Sequence, residues 1–208
     1  MYYSIENSTG KDVGNVFPQV SCLNQDLAHS IQFNEFSNFD SEIQFKLEPK
    51  AKLTDILSQA AISAPGFLIN DKARQVIEGF NLMEHRYYKC LVKDQMGLVH
   101  DYYWLHLVKN LNEVNWLDYE NSTFYVKEFG FRENDIPIKS YQDYNQKSME
   151  VGDMAVIIIE TIKVKENTKI NADLFTIPLL TTSIFISERL KRTLEESETS
   201  GISTTEAF

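Results

Sequence analysis

Five short runs limit how this chain can fold: "YYKCLV" (87–92), "YYWLHLV" (102–108), "STFYV" (122–126), "MAVIIIETIKV" (154–164) and "LFTIPL" (174–179). Each is dominated by β-branched and aromatic residues, which fit a pleated, half-buried surface better than a helix. The run from Met154 starts as continuous apolar sequence and then alternates. Its start is therefore expected to be buried on both faces and its end on one, with Ile162 and Val164 inward and Thr161, Lys163 and Lys165 outward. "DQMG" (94–97) separates two of the runs. Gly97 can supply the positive φ of a tight turn there, which predicts an antiparallel hairpin.

Helical spacing follows an apolar run twice. "FLINDKARQVIE" (67–78) and "IFISERLKRTLE" (184–195) share an order of three apolar residues, a cap residue, an acid, a base and a helical stripe. Asn70 and Ser187 can each accept a bond from an orphan helix N–H, and Asp71 and Glu188 sit well at the positive end of a helix dipole. Only Ile69/Ile186 and Glu78/Glu195 are identical, so duplication and a shared strand-to-helix solution are both open. A further helix is predicted at "LTDILSQAA" (53–61), ending before Pro65. The last stretch, "SETSGISTTEAF", has little to bury and is expected to fray. These elements predict an α+β fold with a mixed, mostly antiparallel sheet and a few helices packed on it. Residues 53–208 form the main domain, and residues 1–52 are an N-terminal segment of the same fold.

Composition narrows the function classes. With 208 residues, 43% of them hydrophobic, the chain can bury a sizeable core. The longest aliphatic run is the six residues Met154 to Ile159, far short of the ~18 a membrane span needs. "MYYSIENSTG" has neither the basic start nor the apolar stretch of an export signal, so the cytoplasm is the expected location. Cys22 and Cys90 are far apart and belong to no metal-binding pattern, which fits reduced structural thiols. A formal charge of −10 argues against nucleic acid and anionic membranes as partners. Residues 111–160 hold ten Asp or Glu against four Lys or Arg, more than half of that charge.

Motifs that carry chemistry are scarce. His29, His85, His100 and His106 have no zinc-helix or nucleophile spacing, and the glycines form no phosphate-cradling loop, so no cofactor or metal is expected. His106 lies in an aromatic strand, where a core role competes with a catalytic one. A hydrolase could pair His106 with Asp118 or Glu120, both in "WLDYENSTFYV" (116–126). Asp118, Asn121 and Ser122 also suit a turn that bonds its own backbone. "YQDYNQ" (141–146) is polar and strand-poor; its two tyrosines look exposed, in a mobile loop or a contact surface.

The order of several motifs points to a family. Tyr103 sits in a tyrosine-bearing strand, and a Leu-Asp-x-Glu-x-Ser element follows at Leu117, Asp118, Glu120 and Ser122. Phe175 lies in a later strand, and Ser187-Glu188 opens a last helix before Gly201. Residues 53–203 in this order resemble a family of immunity proteins from bacterial polymorphic toxin systems. The resemblance implies a small cytoplasmic, non-catalytic protein that binds and neutralises a cognate toxin. A scaffold or adaptor of a secretion system is the alternative that would share an acidic surface. Asp118 and Ser122 then read as structural, and the partner surface is expected on Glu128, Glu133, Asp135, Asp143 and Tyr144.

Overall fold

The computed structural model describes residues 1–109 and 111–208, which divide into two compact units. The first comprises Met1–Val108, Ala172–Thr176 and Ser183–Ala207; the second comprises Lys109–Asn171, Ile177–Thr182 and Phe208. The fold is α+β and dominated by mostly antiparallel sheet, as predicted.

Two sheets build the first unit. Its strands are β1 (Tyr2–Asn7), β2 (Val20–Cys22), β3 (Ile43–Leu47), β4 (Ile56–Leu57), β5 (Gly66–Asn70), β6 (His85–Lys93) and β7 (Val99–Leu107). The second unit holds β8 (Thr123–Glu128), β9 (Phe131–Asp135) and β10 (Ala155–Thr161), after which β11 (Leu174–Thr176), β12 (Ile184–Ser187) and β13 (Ile202–Glu206) return to the first. The helices are α1 (Gln25–His29), α2 (Asp71–Glu78), α3 (Tyr141–Val151) and α4 (Glu188–Glu196), of which only α3 belongs to the second unit.

The larger sheet runs β2-β3-β6-β7-β5-β4, with β3 and β6 parallel and the other neighbours antiparallel. The β6–β7 hairpin closes through Asp94 to Gly97 as expected, and Gly97 takes φ +88°. One face of this sheet contributes Phe45, Leu68, Cys90 and Trp104 to the main buried cluster. On α2, Arg74 places its guanidinium over Tyr87 and Tyr103, 4.8 and 4.5 Å from the ring centroids.

The smaller sheet runs β11-β12-β1-β13, all antiparallel. β1 is one of its two inner strands, so Tyr2–Asn7 are built into the sheet. The C-terminal stretch does not fray: Tyr3 pairs with Glu206 and Asn7 with Ile202. Its stabilising partner is the other end of the chain, which local composition cannot reveal. Gly201 allows this closure, because a Cβ there would stand 2.0 Å from the Ile56 carbonyl oxygen.

The recurrent strand-cap-helix unit is present twice and matches in detail. Asn70 accepts from the Ala73 N–H to cap α2, and Ser187 accepts from the Leu190 N–H to cap α4. A carboxylate backs each cap. Asn70 Nδ2 donates to Asp55 and Ser187 Oγ donates to Asp173, at 3.0 and 2.6 Å. The cation two residues beyond each cap, Lys72 or Arg189, pairs with the same Asp at 3.0 and 2.5 Å. Burial would raise both carboxyls, but Ser200, Asn70 and Lys72 hold Asp55, and Arg189, Ser187 and Asn81 hold Asp173, below the usual range. The two helices pack against each other.

The helix predicted at 53–61 is absent: Ile56 and Leu57 form the short strand β4. Ile56, Leu57, Ala60 and Ala61 imitate a helical stripe, yet Thr54, Asp55 and Ser58 spend their side chains on the Ile56 carbonyl, on Ser200 and on the Gln19 N–H. Side-chain bonds of this kind compete with the helical ladder.

In the second unit the sheet order is β10-β8-β9. β10 does not begin buried on both faces, since Met154 and Val156 are 66% and 51% exposed while Ala155, Ile157 and Ile159 face inward. A one-sided sheet covers only alternate residues, whatever the hydrophobicity of the run. Residues 141–146 are not a loop but the start of α3, capped by Ser140, which accepts from the Asp143 N–H.

Candidate functional site

The β8–β9 hairpin is an exposed part of the second unit. Thr123 to Glu128 form β8 with Phe124 and Val126 buried, so the alternation fixes which face turns to the core. Glu128 pairs with Phe131, leaving Phe129 and Gly130 as a two-residue turn. Both turn residues have positive φ, 47° and 88°, the combination a right-twisted hairpin favours. Every residue of β9 is exposed, and Phe129 and Phe131 are 69% and 73% exposed. Beside them on β10, Ala155 pairs with Glu128 and Val156 with Lys127, which puts the exposed Met154 and Val156 next to the turn.

Charge on the hairpin is partly consumed locally. Arg132 pairs with Glu160 and donates from Nη2 to Asp135 at 2.7 Å, with its guanidinium 4.5 Å from the Tyr125 ring centroid. Lys147 pairs with Asp143 at 3.1 Å. Glu128 and Glu133 have no cationic partner among the described residues.

The expected partner residues therefore have different surroundings. Glu128, Glu133 and Asp135 share the hairpin. Asp143 is spent on its own helix: the Lys139 N–H donates to its carboxylate at 2.7 Å, and this bond, with the Lys147 charge, holds its carboxyl below the usual range. Tyr144, expected at the surface, is buried; helical geometry turns one side of the segment inward, which a loop would not do. Phe129 and Phe131 were open to sequence reasoning through "FGF" (129–131), a glycine turn between aromatics, but aromatic residues read by default as core.

The catalytic alternative gains no geometry. His106 is fully buried in β7, packed edge-on to Phe36 with ring centroids 5.5 Å apart. Neither of its ring nitrogens has a hydrogen-bond partner of acceptable geometry. Burial, then the Arg86 charge, push its pKa down to about 4 against support from the Gln32 backbone. Asp118 accepts from the Asn121 N–H and Nδ2 at 3.2 and 2.8 Å, and Ser122 Oγ donates to the Asp118 carbonyl at 2.6 Å. The same hydroxyl accepts from the Lys163 N–H at 3.0 Å. Asp118 and Ser122 thus bind local backbone, as the turn reading expects, and Glu120 is exposed.

A family model described as an immunity protein family, Imm11, matches residues 2–207, the first fifty residues included. A search of curated proteins returns no match. No helix among the described residues is long and apolar enough to cross a membrane.

Proposed function

The chain belongs to the Imm11 immunity protein family, and we propose that it acts in the cytoplasm as a non-catalytic inhibitor that binds and neutralises one cognate toxin. The observation that carries this reading is the family match over essentially the whole chain. It is supported by the buried His106, which presents no acid or base to a substrate, and by carboxylates at 118 and 173 that bind their own backbone and caps.

The partner surface we propose is the β8–β9 hairpin with Glu128, Glu133 and Asp135, to which α3 contributes Asp143 and Tyr144 as support rather than as contacts. Ten acids against four bases in residues 111–160 favour a basic partner, because charge of one sign steers encounter with a surface of the other. Such steering weakens as the Debye length falls with salt. The test is the association rate with the cognate toxin domain at low and moderate salt, for the wild type and for Glu133→Lys with Asp135→Lys. The wild-type rate should fall with salt and the double reversal should associate more slowly at low salt. A rate indifferent to both changes would remove the acidic surface from the proposal.

A further inference from the structure

We infer that the tip of the β8–β9 hairpin is an insertion element: Phe129 and Phe131 enter a concave apolar pocket on the toxin whose rim is cationic. This rests on the reading of the chain as a toxin-binding protein and specifies the site.

Backbone conformation is the first ground. A two-residue turn with positive φ at both positions selects Asn or Asp followed by Gly, because the Cβ of an ordinary residue crowds the following carbonyl oxygen there and only the short polar side chains offset this by bonding local backbone. Here that position is Phe129, at φ 47°. A bulky residue in the left-handed region is a real outlier, and its cost is tolerated where the conformation serves a purpose. Burial within the chain does not offset it, because Phe129 is 69% exposed. Phe131, just past the turn, is 73% exposed and returns equally little to the fold.

Placement is the second ground. Phe131 pairs with Glu128, Glu128 with Ala155, and Val156 with Lys127. Phe129 and Phe131 therefore stand at the turn, while the exposed Met154 and Val156 lie at the same end of the sheet on the face opposite Phe131. Rigid aromatics at the centre of a contact, with polar residues around them, are the usual composition of an energetic hot spot.

Charge selects the occupant. Glu128 and Glu133 flank the aromatic pair in sequence, and Arg132 is held by Glu160 and Asp135. The exposed Lys127 beside Glu128 offsets only one charge, so Glu128, Glu133, Asp135, Asp153 and Glu160 outnumber Lys127 and Arg132 around this end of the sheet. The complement of this tip is an apolar depression edged with Lys or Arg. A second copy of this chain would bring like charges together at a net charge of −10. An anionic bilayer would be repelled by the same carboxylates.

The experiment uses the full chain, the variants Phe129→Asn and Phe131→Ala, and the cognate toxin domain silenced at its active site. Phe129→Asn should raise the melting midpoint, since Asn tolerates the turn conformation, and yet weaken toxin binding about 10-fold or more. Phe131→Ala should leave the midpoint within about a degree and weaken binding about 30-fold, the loss that defines a hot spot. A lower midpoint for Phe129→Asn would overturn the inference by making Phe129 a folding residue. Unchanged affinity in both variants, with the wild type binding, would overturn insertion and leave the inhibitor reading standing. Failure of the wild type to bind would overturn both. Binding of the wild type to phosphatidylethanolamine–phosphatidylglycerol vesicles that Phe131→Ala abolishes, or a wild-type dimer that Phe131→Ala dissociates, would overturn it in favour of a membrane or a second copy.

Discussion

Replacing Asp55 by Asn tests whether the buried carboxylates behind the helix caps hold the first unit together. Oδ2 of Asp55 accepts from Ser200 N and Ser200 Oγ, both at 2.8 Å, and Oδ1 accepts from Asn70 Nδ2 at 3.0 Å. An amide preserves the shape but has one acceptor, and it keeps the Ser200 pair by turning its NH2 to Asn70. The Asn70 bond is then lost, roughly 1.5 kcal/mol at the low end for a charged acceptor, and the two Ser200 bonds weaken to neutral strength, a loss of about 0.5 kcal/mol each, about 2.5 kcal/mol together. The Lys72 contact adds little, because that side chain is 48% exposed and screened by water. For a chain of this size about 2.5 kcal/mol lowers the melting midpoint by roughly 5–10 °C. The loss must also depend on pH. Since the native Asp55 carboxyl lies below its ordinary range, the ionised form stabilises the fold above the unfolded value of about 3.9, and this is lost as pH falls through the native value. Thermal melts of both proteins from pH 7 to pH 3 should show a wide gap that narrows below about pH 4. A gap under about 2 °C at pH 7, or one that persists unchanged at pH 3, would refute the carboxylate's role.

Ser187→Ala removes both the cap on Leu190 N–H and the 2.6 Å bond donated to Asp173; it should cost about 2 kcal/mol by chemical denaturation, the upper end for a lost cap, and an unchanged midpoint would exclude it. His106 should not titrate between pH 5 and 8 by NMR, because its pKa is pushed down to about 4. Below its ordinary value of about 6.5 the unfolded chain binds the proton first, so His106 should cost the fold stability as pH drops to 4, by roughly 3 kcal/mol, and His106→Leu should abolish that loss. A His106 signal that titrates near pH 6.5 would show the ring to be solvated.

Sequence reading succeeded where the causes are local. Asn70 and Ser187 cap their helices because the bond spans three residues, and Asp118 and Ser122 form a turn for the same reason. It failed where partners are remote. Asp55 and Asp173 complete the two caps from 15 and 14 residues away, and β13 is ordered by β1 at the opposite end of the chain. The segment 53–61 misleads because apolar spacing cannot register that Thr54 and Ser58 bond elsewhere. Ser140 and Asp143 do carry a legible start signal for α3, a hydroxyl followed three residues on by an acid, so its polar, tyrosine-rich composition need not have suggested a loop. Of the candidate surface, the acids were visible as charge density, whereas Phe129 and Phe131 carried only the glycine between them as a signal, and aromatic residues read by default as core.

Titration of the toxin's activity with this chain addresses the central claim most directly. A non-catalytic inhibitor acts by occupancy, so at toxin concentrations well above the dissociation constant residual activity should fall linearly and reach zero at a fixed stoichiometric ratio, independent of incubation time. Activity that persists at a large excess of the chain would contradict neutralisation. Loss that progresses with time at a small fraction of the toxin concentration would contradict inhibition by binding and point instead to turnover.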